Sequence, residues 1–190
     1  MNWILASGSP RRRELLEMLG VPDLTIRPAK GPERATPGAG PEQTVRELAL
    51  HKAQEVAQTC APEDIVIAAD TIVYLDGVIL GKPKDTADAA RMLAALSGRE
   101  HTVYTGVAVL RGGELRLAAE RTAVRFRTLT PAEITRYIAT GEPMDKAGAY
   151  GIQGRGALFV AHLDGDYFNV MGLPLCRLGQ LLNELGVELL

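Results

Sequence analysis

Hydroxyl and guanidinium groups are concentrated near the N-terminus, in the segment Ser7-Gly8-Ser9-Pro10-Arg11-Arg12-Arg13. This segment lies where the apolar run of residues 3–6 gives way to a helical pattern. Helix N-termini and arginine side chains both bind phosphate. The same residues also fit a plain helix start, with Ser9 as N-cap and a solvated basic face. The segment lacks the spaced glycines and the Gly-Lys-Ser/Thr ending of a Walker loop, so it does not match that type of nucleotide site.

A carboxylate, Asp70, follows the apolar run of residues 65–69, which predicts a strand that ends at the aspartate. In open α/β sheets, ligands bind at the carboxyl ends of the strands. An aspartate at such a position can hold Mg²⁺ or activate a water molecule. An aspartate that caps the next turn would have the same sequence pattern, so both interpretations stay open at this point.

Two lysine positions could neutralise a polyphosphate. One is Lys82 in Gly81-Lys82-Pro83-Lys84, and the other is Lys52, inside the helical pattern of residues 42–59. Lysines in a solvated turn or on a helix surface would look the same, so neither position is specific by itself.

The segment of residues 145–154 combines charged, amide and aromatic side chains with several glycines. It has few large apolar residues, so we expect a loop that contributes little to the core. Glycines let the backbone approach a ligand closely. The amide of Gln153 offers one donor and one acceptor, which suits the edge of a nucleobase.

The elements that must position these residues alternate between strands and helices. Two glycine turns, Asp76-Gly77 and Gly112-Gly113, predict hairpins, and Thr130-Pro131-Ala132-Glu133 predicts a capping box. We expect strands at residues 3–6, 24–27, 65–69, 72–75, 78–80, 101–110, 114–126 and 158–162, and helices at 10–19, 42–59, 86–96, 131–139 and 174–185. The predicted fold is α/β, a mixed twisted sheet with flanking helices. We expect one domain over residues 1–190, with two lobes that share the central sheet and flank a cleft.

Composition excludes several classes of protein. A net charge of −2 and 5% aromatic residues argue against nucleic-acid binding. No apolar run approaches the roughly 20 residues that a membrane span needs, and no signal peptide is present, so we expect a cytoplasmic protein without membrane contact. Cys60 and Cys176 show no metal-ligand spacing and are expected to be buried, reduced thiols.

Taken together, these segments resemble the Maf family of nucleoside triphosphate pyrophosphatases. The resemblance runs from residue 5 to about residue 175, and its blocks occur in family order. The blocks are Leu5-Ala6-Ser7-Gly8-Ser9-Pro10-Arg11-Arg12, Ala69-Asp70-Thr71, Gly81-Lys82-Pro83, Leu96-Ser97-Gly98, Asp145-Lys146-Ala147-Gly148-Ala149-Tyr150-Gly151-Ile152-Gln153-Gly154 and Gly172-Leu173-Pro174.

The resemblance implies an inosine-triphosphate-pyrophosphatase-like fold, a possible homodimer and a divalent metal cofactor, Mg²⁺ or Mn²⁺. It also implies cleavage of a nucleoside triphosphate between its α and β phosphates. The segment Tyr150-Gly151-Ile152-Gln153-Gly154 is similar to that of the branch acting on dTTP and UTP.

The resemblance also assigns roles to single residues. Asp70 matches the catalytic base, and Asp70 with Glu33 matches the metal-binding carboxylates. Pro32 stands where the family usually has a further acid, and Arg13 lies at a variable position expected at the surface. The positions linked to substrate choice are Arg11, Thr71 and Gln153, and those linked to phosphate binding are Ser9, Arg12, Lys52 and Lys82.

The expected function is therefore hydrolysis of dTTP and UTP to the monophosphate and pyrophosphate, by attack of water on the α-phosphorus. One alternative is a pyrophosphatase for modified nucleotides such as 7-methyl-GTP. Another is a nucleotide-binding regulator, since the resemblance includes a link to inhibition of septum formation. A substrate panel separates the first alternative, and nucleotide binding without turnover would favour the second.

Overall fold

The computed structural model describes residues 1–190 and shows a mixed α/β architecture, as the sequence predicts. The strands are β1 (Trp3–Leu5), β2 (Leu24–Ile26), β3 (Ile65–Leu75), β4 (Val78–Leu80), β5 (Glu100–Arg111), β6 (Glu114–Phe126) and β7 (Val160–Asp164). The α-helices are α1 (Pro10–Met18), α2 (Pro41–Ala57), α3 (Thr86–Leu96), α4 (Pro131–Ile138), α5 (Tyr167–Met171) and α6 (Leu175–Asn183). Three short 3₁₀ helices follow α4, at Glu142–Asp145, Ala147–Ala149 and Gly154–Phe159.

All seven strands form one sheet in the order β2-β1-β3-β5-β6-β7, and β4 pairs with β3. Strand β1 runs parallel to both β2 and β3. Parallel neighbours need crossover connections, and α1 and α2 provide them. Strands β3 and β4 are antiparallel, as are β6 and β7. The mixed sheet with flanking helices is therefore confirmed.

Two compact units divide the chain. Unit 1 comprises Met1–Asp70, Thr105–Glu120 and Gly172–Leu190, and unit 2 comprises Thr71–Tyr104 and Arg121–Met171. Each unit has a hydrophobic core of its own. None of the helices combines the length and the apolar composition needed to cross a membrane.

Small residues bring α2 close to the strands of unit 1. Ala49 and Ala53 of α2 are completely buried in one cluster with Ala68 of β3 and Ala108 of β5. Gly106 of β5 marks the closest approach, because a Cβ there would lie 2.1 Å from the carbonyl oxygen of Val45. Side chains on α2 can therefore reach the strand residues beneath them.

Aromatic rings dominate the core of unit 2. Phe126 and Tyr150 pack edge to face, with ring centroids 4.7 Å apart. Phe159 contacts both Phe126 and Tyr137, also edge to face. These geometries are favoured because the positive edge of one ring meets the negative face of another.

Strand β3 corrects one prediction from the sequence. The pattern predicts a strand that ends at Asp70, but β3 continues from Ile65 to Leu75, so Asp70 and Thr71 lie inside it. Thr71 is β-branched and suits a strand. The charge of Asp70 is balanced by Lys52 of α2, so the strand passes through a polar pair without a break.

The late glycine-rich segment corrects a second prediction. It is not a peripheral loop, since Ala149, Tyr150 and Ile152 are buried. Its glycines permit this packing: a Cβ on Gly148, whose φ is +68°, would lie 2.8 Å from Val73. The following strand also begins later than expected, at residue 160 rather than 158, because Leu158 belongs to the third 3₁₀ helix and is exposed.

The expectation of two buried thiols is wrong. Cys60 is half-buried and Cys176 is exposed. Cys60 lies just beyond α2, where its thiol contacts the carbonyl oxygen of Val56 at 3.1 Å. Cys176 belongs to α6, whose buried face is formed by Leu175, Leu178, Leu181 and Leu182.

Candidate active site

Arg12 is fixed at the start of α1 by two hydrogen bonds. Its Nε donates to the carbonyl oxygen of Gly172 at 2.7 Å, and its Nη1 donates to Ser7 Oγ at 2.9 Å. Ser9 occupies the N-cap position with Pro10 after it, but its side chain makes no capping bond. The predicted helix start is confirmed, and Ser7 is the hydroxyl that holds the arginine.

Lys52 forms the centre of the polar cluster in unit 1. Its ammonium nitrogen lies 2.5 Å from Asp70 Oδ1 and 2.7 Å from Glu33 Oε1. The side chains of Lys52 and Asp70 retain only 18% and 12% of their exposure, whereas that of Glu33 keeps 63%. One half-buried cation therefore holds two carboxylates together, one from β3 and one from a loop.

The loop that carries Glu33 is tied to α2 on both sides. Glu55 accepts hydrogen bonds from the backbone N–H groups of Lys30 and Gly31. Glu47 accepts one from the backbone N–H of Thr36 at 2.7 Å. Because Lys52 lies between Glu47 and Glu55 on the same helix, these contacts bring Glu33 to its ammonium group.

The electrostatics link the arginines to this cluster. Burial lowers the pKa of the Arg12 guanidinium below its ordinary value, while the negative charge of Asp70 acts in the opposite direction. The positive charge of Arg11 lowers the pKa of Arg12 further, and the negative charge of Glu33 raises it. The charges of three side chains therefore act on Arg12: those of Asp70, Arg11 and Glu33. Such a mixture of carboxylates and cations can bind a polyphosphate and activate water.

Unit 2 carries the remaining predicted residues. Thr71 follows Asp70 in β3, and Lys82 is exposed just after β4. The backbone N–H of Gly148 donates to the carbonyl oxygen of Gly81 at 3.0 Å, so the lysine loop contacts the late segment. Gln153 is half-buried and immediately precedes the third 3₁₀ helix.

Two groups of predicted residues thus emerge. Five predicted residues come together in unit 1 by contact or by charge: Asp70, Glu33, Lys52, Arg12 and Arg11. Ser9 lies at the start of the helix that carries the two arginines. Thr71, Lys82 and Gln153 belong to unit 2. Their gathering in one cleft, and the role of each, stay predictions. Arg13 is exposed and pairs with Glu17 one turn along α1, away from this cluster.

The sequence profile described as "Maf-like protein" matches residues 2–185, nearly the whole chain. The chain belongs to the Maf-like family.

Curated relatives of this Maf-like chain match it over almost their full length. A protein of Moorella thermoacetica named "dTTP/UTP pyrophosphatase" is 56% identical over 97% of this chain and 95% of its own. One of the same name from Symbiobacterium thermophilum is 52% identical over 96% of this chain and 93% of its own. Among solved structures, the Staphylococcus aureus Ham1 protein aligns with a TM-score of 0.48 and 16% identity, covering 66% of this chain and 72% of its own.

Sequence reasoning missed several side chains that hold the predicted residues in place. Ser7 stands in the sequence as one hydroxyl among several, although it accepts a hydrogen bond from Arg12. No pattern singles out Glu142 and Tyr137, yet both bond to the backbone around Gln153. Their partners are backbone N–H groups, for which no sequence pattern exists; only the adjacent glycines give a signal.

Proposed function

We propose that the protein hydrolyses dTTP and UTP to the nucleoside monophosphate and pyrophosphate. The observation that carries the proposal is the ammonium of Lys52 held between Asp70 and Glu33, beside Arg12. Membership of the Maf-like family and relatives named "dTTP/UTP pyrophosphatase" support the substrate class.

The proposed reaction is an in-line displacement at the α-phosphorus. Asp70 takes a proton from a water molecule as the water oxygen bonds to that phosphorus. The bond from the α-phosphorus to the bridging oxygen breaks, and pyrophosphate leaves with the bond's electron pair. Arg12 and Lys52 stabilise the charge on the phosphate oxygens, which is the main form of catalysis available for phosphoryl chemistry.

A divalent cation fits the same pair of carboxylates. Asp70 and Glu33 already converge on one cationic nitrogen in this structure. Mg²⁺ typically takes only one or two carboxylates and completes its shell with water and substrate phosphates. When bound, Mg²⁺ or Mn²⁺ would be held by Asp70 and Glu33 and would neutralise phosphate charge.

Base choice is assigned to Arg11, Thr71 and Gln153. Uracil and thymine present O4 as an acceptor and N3–H as a donor, and the amide of Gln153 complements both. Cytosine reverses this pattern of donor and acceptor at ring positions 3 and 4. Lys82 and Ser9 are assigned to phosphate contacts, as the family resemblance implies.

The test uses the purified protein with Mg²⁺ or Mn²⁺, a panel of triphosphates that includes UTP, dTTP, CTP, GTP and 7-methyl-GTP, and water enriched in ¹⁸O. We expect UTP and dTTP to react fastest, with ¹⁸O in the monophosphate and none in the pyrophosphate. EDTA should stop the reaction.

Three results would contradict the proposal. Orthophosphate as first product, or ¹⁸O in the pyrophosphate, would move the attack away from the α-phosphorus. A preference for 7-methyl-GTP would assign the protein to modified nucleotides. Binding of UTP without turnover would favour a nucleotide-dependent regulator.

The proposal also includes a cytoplasmic homodimer that binds no nucleic acid. Light scattering coupled to size exclusion tests the oligomeric state, and a mass of 20.4 kDa corresponds to the monomer.

A further inference from the structure

Residues 151–156 form a small closed loop within unit 2, with Gln153 near its middle. The two ends of the loop almost touch, since a Cβ on Gly156 would lie 2.3 Å from the carbonyl oxygen of Gly151. Gln153 itself is extended, with φ −84° and ψ 153°, and Gly154 after it has a φ of +77°. The position of the Gln153 backbone therefore depends on what holds the two ends of the loop.

The carboxylate of Glu142 holds one end. Its Oε2 accepts the backbone N–H of Arg155, and its Oε1 accepts that of Gly156, both at 3.1 Å. A Cβ on Gly154 would lie 2.9 Å from Oε2, so the carboxylate also sits directly against the residue after Gln153. Burial alone would raise the pKa of Glu142. The bonds from both backbone amides and from Tyr137, together with the charge of Lys146, hold that pKa below its ordinary value.

Tyr137 of α4 holds the other end. Its hydroxyl donates to Glu142 Oε1 at 2.9 Å and accepts the backbone N–H of Gly151 at 3.2 Å. The ring is buried against Phe159, so the hydroxyl has a fixed position. Tyr137 and Glu142 thus bond to each other and to both ends of the same loop.

Glu142 is itself restrained through its backbone. Lys146 Nζ donates to the backbone carbonyl oxygen of Glu142 at 2.7 Å and to Asp145 Oδ1 at 2.6 Å. The stem of Lys146 also packs against Gly151, where a Cβ would lie 2.8 Å from Cε. The whole support is made of side chains outside residues 151–156.

We propose that Glu142, together with Tyr137, is a positioning residue for substrate choice, which orients Gln153 toward the base by fixing residues 151–156. The inference rests on the proposed function and on the role assigned to Gln153. Neither Glu142 nor Tyr137 needs to contact the nucleotide. Their removal should weaken recognition of uracil and thymine more than it weakens phosphate chemistry.

The test compares Glu142→Gln and Tyr137→Phe with the wild-type protein in two measurements. The Glu142→Gln change keeps the size of the side chain but turns one acceptor into a donor, which opposes a backbone N–H. The Tyr137→Phe change keeps the ring and removes the hydroxyl. Loss of a hydrogen bond to a charged group typically weakens binding by about ten-fold. We therefore expect the kcat/KM for UTP, divided by that for CTP, to decrease by about that factor. The activity with CTP should stay within a few-fold of wild type.

Amide hydrogen exchange gives a readout that does not require catalysis. We expect the amides of residues 151, 155 and 156 to exchange faster in both variants. The matched control is Glu133→Gln, the same chemical change in the capping box of α4, where the glutamate bonds Thr130 and Arg127 rather than the loop. This control should leave both the substrate ratio and the exchange of the loop as in wild type.

The outcomes separate the two proposals. An unchanged exchange pattern in Glu142→Gln, or an equal loss of activity on UTP and CTP, would overturn the positioning role. If the wild-type protein releases no pyrophosphate from any triphosphate, the proposed function fails. In that case Glu142 cannot be a positioning residue for substrate choice. The exchange data would still establish whether Glu142 fixes residues 151–156.

Discussion

One ammonium group between two carboxylates is the central feature at the scale of single residues. Lys52 contacts Asp70 at 2.5 Å and Glu33 at 2.7 Å, and the more buried of the two carboxylates is the proposed base. A buried carboxylate without a partner would be costly, so Lys52 makes a charged Asp70 tolerable inside β3 before any substrate binds.

Replacing Asp70 by Asn should remove nearly all turnover while the protein stays folded. The amide keeps the size and can still accept a hydrogen bond from Lys52, but it cannot take a proton from water. Loss of a positioned general base typically lowers the rate by ~10²–10⁴-fold. Steady-state release of pyrophosphate from UTP measures the effect, and thermal unfolding monitors the fold.

Asp64→Asn is the matched control for that prediction. Asp64 is also buried and immediately precedes β3, but its carboxylate bonds the backbone of Asn2 and Ala61, within unit 1 and away from Lys52. We expect the control variant to be less stable and to keep a kcat close to wild type. Equal turnover of the Asp64 and Asp70 variants would mean that Asp70 has only a structural role.

The sequence alone could identify these residues as candidates, but it could not show that their side chains contact one another. The spacing from Lys52 to Asp70 is 18 residues and follows no local pattern. Their contact requires α2 to lie over β3, which is a tertiary feature. The family resemblance supplied these residues as candidates, whereas the bridge formed by Lys52 is visible only in three dimensions.

At the scale of secondary structure, the approach of α2 to the sheet decides whether that bridge can form. Gly106 leaves room for the backbone of Val45, and small alanines fill the rest of the contact. A larger residue anywhere in this layer would push α2 outward and lengthen the distance between Lys52 and Asp70. The packing of a helix thus controls the geometry of charged groups.

Gly106→Ala should therefore destabilise the protein and reduce its activity. The added methyl group would lie 2.1 Å from a carbonyl oxygen of the helix backbone, which cannot move by itself. Overpacking of this kind typically costs about 1–3 kcal/mol. Urea unfolding monitored by circular dichroism measures the free energy of unfolding.

The control is Gly179→Ala in α6, where a Cβ would meet nothing within 4 Å. Alanine is the better helix former, so this variant should be more stable by about 0.5–1 kcal/mol. If both glycine variants changed stability in the same direction, close packing of α2 would not explain the requirement for Gly106.

Local signals predicted the secondary structure best where they act within a few residues. The Asp76-Gly77 turn has positive φ at both residues, as a tight hairpin requires, and both bonds of the Thr130–Glu133 capping box form. The prediction failed for β3, where the adjacent polar residues Asp70 and Thr71 resembled the end of a strand. It also failed for the late segment, because its few aromatic residues and close glycine contacts build a core that composition does not reveal.

At the scale of the whole molecule, the two units have cores of different character. The cluster in unit 1 is rich in alanine and lets a helix approach the sheet closely. The cluster in unit 2 is built around aromatic rings and supports the loop of residues 151–156. The charged groups proposed for chemistry and the amide proposed for base choice therefore depend on different kinds of packing.

The core of unit 2 contains one buried base, His101, and this makes the stability of the protein depend on pH. His101 is 3% exposed, and its Nε2 lies 2.7 Å from the hydroxyl oxygen of Tyr150. The ring of Phe126 packs edge to face against it, with centroids 5.0 Å apart. Burial lowers the pKa of His101 from 6.5 to about 4, because the charged imidazolium has no water around it.

The sign of the effect follows from proton binding. Between pH 6.5 and about 4, the unfolded chain binds a proton at His101 and the folded protein does not. Stability from this group is therefore complete above pH 6.5 and is lost as the pH falls through that window. At pH 5 the loss should be about 2 kcal/mol relative to pH 7.

The measurement is the free energy of urea unfolding at pH 7 and at pH 5, for the wild-type protein, His101→Gln and His162→Gln. Glutamine at position 101 can still bond to Tyr150 but does not titrate, so the His101 variant should be less stable at pH 7 and less sensitive to acid. Carboxylates titrate as well, and the exposed His162 serves as the control because it carries the same replacement outside the aromatic core. Suppose that the wild-type protein and the His101 variant lost the same free energy of unfolding between pH 7 and pH 5. The acid sensitivity would then have to come from groups outside the aromatic core. His101 would bind a proton as readily in the folded protein as in the unfolded chain.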